Sequence, residues 1–182
     1  RVSRYSELLA GLSGVDQDRA ELIAAASAMH DIGKLGIPDS ILRKPGKLTV
    51  KERRHMQRHA DYGRKILAGE PDPLLDLAAV IAWTHHERWD GGGYPRRLSG
   101  DAIPLEGRIV AIGDVFDALT SDRVYRPAMT VPHAVELMQG GSGQHFDPEL
   151  LDLFISAMPR VLEIRRRHPD DARAAAAQSA LA

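Results

Sequence analysis

The sequence contains no cysteine, which excludes disulfide bonds and metal sites built on thiolate ligands. Any metal must therefore be held by imidazole and carboxylate groups, a ligand set that suits iron, manganese, nickel, zinc or magnesium. An excess of positive charge is also missing, because 24 lysine and arginine residues face 25 acidic residues and leave a formal net charge of −1. We therefore expect no binding of polymeric nucleic acid by bulk electrostatics, and any bound phosphate should be held by a few placed groups.

Long hydrophobic runs are absent as well, since no stretch approaches the roughly 20 apolar residues of a membrane span. Nothing at the N-terminus resembles a signal peptide, so we expect a cytoplasmic location. The 182 residues fit one domain with a substantial core. We predict a domain over residues 1–168 and an alanine-rich C-terminal tail over residues 169–182.

Helical spacing of apolar residues dominates the chain and predicts an all-α fold with about seven helices. Early helices are expected from Arg1 to about Leu12 and from about Gln17 towards His30. Thr49-Val50-Lys51-Glu52 is a capping box that begins a third helix, and Asp72-Pro73 is an N-cap and first turn for the next. The apolar run from Arg108 to Leu119 could be a buried strand, but its surroundings favour a helix.

Two adjacent histidines, His85 and His86, run into a turn that contains three consecutive glycines. His85 continues the apolar face of the preceding helix, so it should face the core. The glycines cannot continue a helix cheaply and should leave both rings at the mouth of the core. A lone histidine on such a face is more often a hydrogen-bonded core residue, but a pair beside carboxylates favours a metal site.

Further candidate metal ligands lie elsewhere in the chain. His30 and Asp31 are adjacent and could serve two neighbouring metal ions, or one ion from two sides. On the third helix, His59 lies nearly in line with the inward face, whereas His55 is rotated by about 70°, so we predict His59 as the ligand. Asp114 lies within an apolar run and needs a cation, either a metal ion or an arginine.

Three polar residues follow Asp114 and complete the candidate site. Asp117, one helical turn later, is predicted to orient a histidine ligand through its free ring nitrogen. Arg123 and Arg126 lie one turn apart, and each offers a planar fork that fits phosphate. The alternative for these arginines is an ordinary solvated helix face.

These motifs resemble those of the HD-GYP domain, a branch of the HD phosphohydrolase superfamily. The matching positions run from about residue 26 to about residue 155. The residues that carry the resemblance are His30-Asp31-Ile32-Gly33-Lys34, Ile37 to Leu42, Lys44-Pro45-Gly46, His85-His86-Glu87, Asp90-Gly91 and Gly93-Tyr94-Pro95.

The resemblance implies a helical bundle that hydrolyses the bacterial second messenger cyclic di-GMP to pGpG, to GMP or to both. It also implies two or three divalent metal ions in the core, with iron or manganese ahead of nickel, zinc and magnesium. Asp31 would bridge the metals, and Lys34 would lie beside the scissile phosphate as the second catalytic residue. By motif position, the metal ligands would be His30, Asp31, His59, His85, His86 and Asp114.

The same resemblance implies further contacts. Arg123 and Arg126 would hold the phosphates or guanine of the nucleotide, and Gly93-Tyr94-Pro95 would shape the loop beside the site. In this family that loop is also linked to contact with diguanylate cyclase (GGDEF) domains. Family members are often joined to an N-terminal receiver or other sensor domain, as in two-component response regulators.

The chain departs from the family pattern at two places. A glutamate and a histidine that members carry on their first helix would fall before Arg1, which predicts that this helix is truncated here. Arg97 stands where the family usually has glycine. Two alternatives to the function remain, namely action on a different cyclic dinucleotide or nucleotide phosphate, and a non-catalytic module that binds cyclic di-GMP or a GGDEF partner. The complete ligand set favours catalysis, because a binding module does not need it.

Overall fold

The computed structural model describes residues 1–69, 71–122 and 127–169. These residues form ten α-helices and two 3-10 helices, and their only β-structure is an isolated bridge between Ser142 and Phe146. The predicted all-α fold is therefore confirmed. The α-helices are α1 Val2–Leu12, α2 Gln17–Ser27, α3 Asp39–Leu42, α4 Val50–Gln57, α5 His59–Leu67, α6 Pro73–Thr84, α7 Leu105–Thr120, α8 Val131–Gln139, α9 Pro148–Ser156 and α10 Met158–Arg167. The 3-10 helices are Ile32–Gly36 and Gly100–Ala102.

The helix count exceeds the predicted seven because two predicted helices are broken and α3 is a single extra turn. The third predicted helix is interrupted at Arg58, which separates α4 from α5. The other is the helix that Asp147-Pro148-Glu149 is predicted to begin and that should run to about Arg166; it is interrupted at Ala157, which separates α9 from α10. Pro159 lies in the first turn of α10, and a proline there suits a new helix start better than a continuous helix interior.

Several helices begin at side-chain caps, at the positions predicted from the sequence. Thr49 and Glu52 form the reciprocal capping box of α4. The Asp72 carboxylate accepts hydrogen bonds from the backbone N–H groups of Leu74 and Leu75, at 2.8 and 2.9 Å. These contacts satisfy N–H groups that have no partner within the helix.

The core forms where α1, α7 and α9 meet. The rings of Tyr5, Phe116 and Phe154 pack edge to face, with centroids 5.3 to 6.1 Å apart. Around this centre, α1 packs on α2, and α6 contacts α2, α5 and α7. The 3-10 helix Ile32–Gly36 packs on α5, which brings the segment after α2 to the N-terminal end of α5. No helix in the described part of the chain is long and apolar enough to cross a membrane.

Candidate metal centre

Four side chains from three segments of the chain converge on one point. One ligand atom each from Asp31, His59, His85 and His86 lies within 4.8 Å of the others. The Oδ1 atom of Asp31 is 3.4 Å from Nε2 of His59 and 3.9 Å from Nε2 of His85. Ligand atoms bound to one ion at about 2.1 Å lie roughly 3 to 4 Å apart, so the two distances from Asp31 suit a shared metal ion.

The other oxygen of Asp31 faces a second group of ligands. Its Oδ2 atom lies 3.5 Å from Nε2 of His30, and that nitrogen lies 3.8 Å from Oδ1 of Asp114 on α7. The structure thus brings the six predicted metal ligands into one region, with the Asp31 carboxylate between two groups of them. His55, the histidine rejected in favour of His59, is not a member of the four-residue cluster.

Unsatisfied polar atoms show that these residues fit a cation. Among the described residues, the Oδ1 atom of Asp31 and the Nε2 atoms of His59 and His85 are buried and have no hydrogen-bond partner. Each buried polar atom left without a partner costs about 1–3 kcal/mol. A divalent ion at their common centre would satisfy all three at once.

Backbone carbonyls orient the histidine rings. Nδ1 of His30 lies 2.7 Å from the carbonyl of residue 27, Nδ1 of His59 lies 2.8 Å from that of residue 56, and Nδ1 of His85 lies 3.0 Å from that of residue 81. A carbonyl only accepts, so each Nδ1–H donates and each Nε2 turns its lone pair to the centre.

Asp117 is not the Nδ1 partner of His30, His59 or His85, so it does not have the predicted orienting role for these three rings. Its Oδ1 atom accepts a hydrogen bond from Nε of Arg1 at 2.5 Å, and the same guanidinium donates to Oγ of Ser121 at 2.7 Å. The three rings with assigned Nδ1 partners use backbone carbonyls three or four residues earlier instead. Such partners have no side-chain signature, which is why the sequence did not reveal them.

The charge states of the cluster suit metal binding at neutral pH. Burial lowers the pKa of His85 to about 3, and burial also lowers the pKa values of His59 and His86. The rings are therefore neutral, which is the form that binds metal. Burial acts to raise the pKa of Asp31, but the charges of Lys34 and His30 outweigh it and hold that pKa below its usual value.

Lys34 lies at the open side of the cluster. Its Nζ atom is 2.5 Å from Oδ2 of Asp31, and its side chain is 40% exposed. The amine is thus next to the carboxylate that both ligand groups share, and it is accessible from solvent. Arg123 and Arg126, the predicted nucleotide-binding pair, lie outside the described residues.

The loop after the histidine pair forms one wall of the site. The Tyr94 ring stacks on His86, with centroids 4.8 Å apart and planes at 28°. The backbone passes so close to itself that a Cβ on Gly93 would lie 2.4 Å from the backbone nitrogen of Arg88. The peptide bond between Tyr94 and Pro95 is cis. Glycine at position 93 thus lets Tyr94 reach the histidine ring.

Glu87 anchors this loop, a role that the sequence did not indicate. Its side chain is buried, and its two carboxylate oxygens accept hydrogen bonds from the backbone N–H groups of Arg96 and Leu98 at 2.7 and 3.0 Å. A glutamate in a stretch rich in charged residues looks like a surface residue. Its burial follows only from the return of the loop over the end of α6.

A family model described as the HD domain matches residues 1–150. The chain belongs to the HD domain family. The adjacent His30 and Asp31 are among the residues that carry the sequence resemblance. Asp31 belongs to the four-residue cluster, and Nε2 of His30 lies 3.5 Å from its Oδ2 atom. The family inferred from the sequence is thus confirmed.

Curated relatives of this HD domain are phosphodiesterases by name. The chain is 47% identical over 170 residues to the 3'3'-cGAMP-specific phosphodiesterase 2 of Vibrio cholerae, covering 93% of this chain and 33% of that protein. It is 43% identical over 164 residues to the cyclic di-GMP phosphodiesterase response regulator RpfG of Xanthomonas campestris, covering 90% and 43%. It is 41% identical over 171 residues to a cyclic di-GMP phosphodiesterase of Thermotoga maritima, covering 94% and 46%. The chain thus spans between a third and a half of the length of these relatives.

Solved structures share the fold. A cyclic GMP-AMP specific phosphodiesterase of Vibrio cholerae superposes with a TM-score of 0.64 at 17% identity, covering 94% of this chain and 46% of that chain. Bd1817, an HDG"Y"P protein from Bdellovibrio bacteriovorus, superposes with a TM-score of 0.65 at 19% identity, covering 87% and 50%. At these identities the likeness concerns the fold alone, and it supports the predicted helical HD architecture.

Replacing Glu87 with glutamine should destabilise the HD domain by about 1–3 kcal/mol. Glutamine keeps one acceptor oxygen, but its amide group would face one of the two backbone N–H groups that the carboxylate now binds. Urea unfolding of the Glu87→Gln variant measures the loss. Glu136→Gln is the matched control, because the Glu136 side chain is 83% exposed and should tolerate the change. Equal unfolding midpoints for the two variants would contradict the anchoring role.

Proposed function

We propose that this HD domain is a metal-dependent phosphodiesterase that hydrolyses cyclic di-GMP to pGpG, to GMP or to both. The observation that carries the proposal is the Asp31 carboxylate, which lies between two groups of candidate ligands and has a buried oxygen without a partner among the described residues. The relatives are named as phosphodiesterases of cyclic di-GMP or of 3'3'-cGAMP, and these names support the same class of reaction.

The ligand geometry supports at least two metal positions. On one side of Asp31, its Oδ1 atom would share an ion with the imidazoles of His59, His85 and His86. On the other side, its Oδ2 atom would share an ion with His30 and Asp114. We propose iron or manganese for these positions, with nickel, zinc and magnesium as alternatives, because the ligands are imidazole nitrogens and carboxylate oxygens.

Divalent metal ions, when bound, supply an activated water and positive charge beside the phosphate. Side chains of the protein would stabilise further charge and exclude water. Lys34, next to Asp31 and open to solvent, would stabilise negative charge that develops on the phosphoryl oxygens. The ring of Tyr94, stacked on His86, would exclude water from one side of the site. We keep Arg123 and Arg126 as the proposed contacts to the nucleotide.

Turnover with controlled metal loading tests the proposal. Protein purified without oxygen, loaded with iron or manganese and freed of excess metal should contain about two or more ions per chain and release pGpG or GMP from cyclic di-GMP. Chelation should stop the reaction, and the same metal should restore it. Nucleotide chromatography measures the products, and elemental analysis measures the metal.

Two outcomes of this experiment would replace the proposal. Bound metal and bound cyclic di-GMP without any product would indicate the non-catalytic binding module. Hydrolysis of 3'3'-cGAMP that is at least about tenfold more efficient than that of cyclic di-GMP would assign a different cyclic dinucleotide as substrate. The second outcome is a specific alternative because three relatives are named for that substrate.

The cellular context is also a proposal. One relative is named a response regulator, which supports a receiver or sensor domain in the full-length protein. Contact between Gly93-Tyr94-Pro95 and a GGDEF domain stays a prediction, as does a cytoplasmic location. Co-purification of the full-length protein with a GGDEF domain, in the presence and absence of a Tyr94→Ala change, would test the contact.

A further inference from the structure

A second feature lies on the outer side of the glycine-rich loop. A cleft of about 570 Å³ separates that loop, residues 91–95, from the junction of α4 and α5. Three arginines line it, Arg54 and Arg58 from the helices and Arg97 from the far end of the loop. We call it the arginine cleft.

The arginine cleft collects three positive charges beside one carboxylate, that of Asp61. Within residues 1–69, 71–122 and 127–169, none of its three guanidinium groups forms a hydrogen bond or an ion pair with a carboxylate. Asp61, the acidic residue that lines the same cleft, instead accepts a hydrogen bond from Nε1 of Trp83 at 3.0 Å. Like charges held together in this way repel one another, and an anion between them would relieve the repulsion.

The backbone of Arg97 adds an independent observation. Its φ angle is 58°, in the left-handed region that side chains other than glycine rarely adopt. Every other described residue in that region is a glycine, namely Gly14, Gly46, Gly91, Gly100 and Gly143. Strained residues of this kind cluster at binding sites. Two further arginines without a carboxylate partner line the same cleft, although Arg58 also lies over the ring of Tyr62, at 5.0 Å from its centroid. An arginine in this backbone conformation at such a cleft indicates a binding role for its side chain.

The arginine cleft adjoins the metal centre. Tyr94 lines the cleft, and its ring also stacks on His86 of the ligand cluster. A ligand held at the cluster by one phosphate could therefore extend over Tyr94 into the cleft. A cyclic dinucleotide carries two phosphodiester groups, and only one of them lies at the metals at a time.

We propose that the arginine cleft binds the phosphate of the dinucleotide substrate that is not being hydrolysed, an inference that rests on the proposed function. Arg97 is then a specificity-determining residue of this chain, because it contacts the half of the substrate that mononucleotide esters lack. Arginine suits this role, since its planar fork binds phosphate through two parallel hydrogen bonds.

An Arg97→Gly variant separates binding from folding. Glycine adopts the left-handed conformation freely, so the melting temperature should not fall, whereas the affinity for the dinucleotide should fall about tenfold. The affinity is measured by titration calorimetry on manganese-loaded protein with a phosphorothioate analogue of cyclic di-GMP, which is hydrolysed slowly. Arg54→Gln should weaken binding in the same way. Arg166→Gln is the control, because it removes the same charge from a side chain that is 75% exposed on α10.

Three results would overturn this inference. Equal affinity of wild-type protein and Arg97→Gly would leave the cleft without a role in substrate binding. A clear fall in the melting temperature of Arg97→Gly would show that Arg97 serves the fold. Weaker binding of inorganic phosphate with unchanged binding of the analogue would assign the cleft to a separate anion. If wild-type protein does not bind the analogue at all, the proposed function itself fails. Binding by wild-type protein that Arg97→Gly leaves unchanged would contradict only the role of the cleft.

Discussion

Replacing Asp31 with alanine is expected to abolish both metal binding and hydrolysis. One oxygen of its carboxylate lies 3.4 Å from Nε2 of His59, and the other lies 3.5 Å from Nε2 of His30 and 2.5 Å from Nζ of Lys34. Removing it deletes the ligand common to both metal positions and leaves the lysine amine facing the imidazoles. Turnover should fall by a factor of about 10³ or more, because metals contribute several kcal/mol of charge stabilisation in the transition state.

Metal binding can be measured without relying on activity. Wild-type protein should melt at a higher temperature with manganese than with a chelator, because an ion that binds the folded state alone stabilises it. In Asp31→Ala that difference should disappear, and elemental analysis after dialysis should find little manganese. Asp152→Ala is the control, since Asp152 is exposed on α9 and should keep both properties. Normal turnover by Asp31→Ala with metal still bound would rule out the shared-ligand role.

The positions of the candidate ligands were partly predictable, because helical spacing places His59 and His85 on inward faces and the motif resemblance supplies the others. The choice of His59 over His55 rested on one turn of a helical pattern, and the structure places His59 in the cluster with 1% of its surface exposed. His85 lies on the apolar face of α6 and is equally buried. Periodicity predicts which side of a helix faces the core, and the sequence motif adds which polar residues belong there.

The helix ends near the site were not predictable in the same way. The sequence predicts a continuous third helix, but the structure interrupts it at Arg58, immediately before His59. The predicted second helix runs towards His30, whereas α2 ends at Ser27. In both places a histidine ring binds a backbone carbonyl three residues earlier. That contact depends on the direction in which each candidate ligand points in the folded protein, which local sequence patterns do not contain.

The burial and pairing of charged side chains also could not be predicted from the sequence. Glu87 follows the histidine pair in a charged stretch, and only the folded loop reveals that it binds two backbone N–H groups. Asp117 lies one turn after Asp114, a spacing that suits support of a metal ligand, yet Arg1 from the far end of the chain takes its carboxylate. The return of a loop decides the role of Glu87, and a contact between the two distant residues Arg1 and Asp117 decides that of Asp117; helical spacing predicts neither.

Gly33 shows how closely the candidate metal centre depends on backbone packing. It lies two residues after Asp31, in the 3-10 helix that packs on α5. A Cβ at this position would lie 1.9 Å from the carbonyl oxygen of His59 and 2.3 Å from the backbone nitrogen of Gly63. These neighbours are backbone atoms of a helix, so they cannot turn aside as a side chain could.

Gly33→Ala should therefore destabilise the protein by about 3 kcal/mol or more, at the upper end of the range for overpacked cores. The added methyl group must push the 3-10 helix away from α5, which separates Asp31 from His59 and so weakens metal binding. Urea unfolding gives the stability, and the manganese-dependent rise in melting temperature reports on the site. Gly11→Ala is the matched control, because its Cβ would meet no atom within 4 Å near the C-terminal end of α1. That change should leave the stability unchanged or raise it by less than about 1 kcal/mol, since alanine favours the helix but Gly11 is its penultimate residue. Equal stability of the two variants would mean that α5 and the 3-10 helix can separate without loss, and the close packing would then not be what holds Asp31 among the histidines.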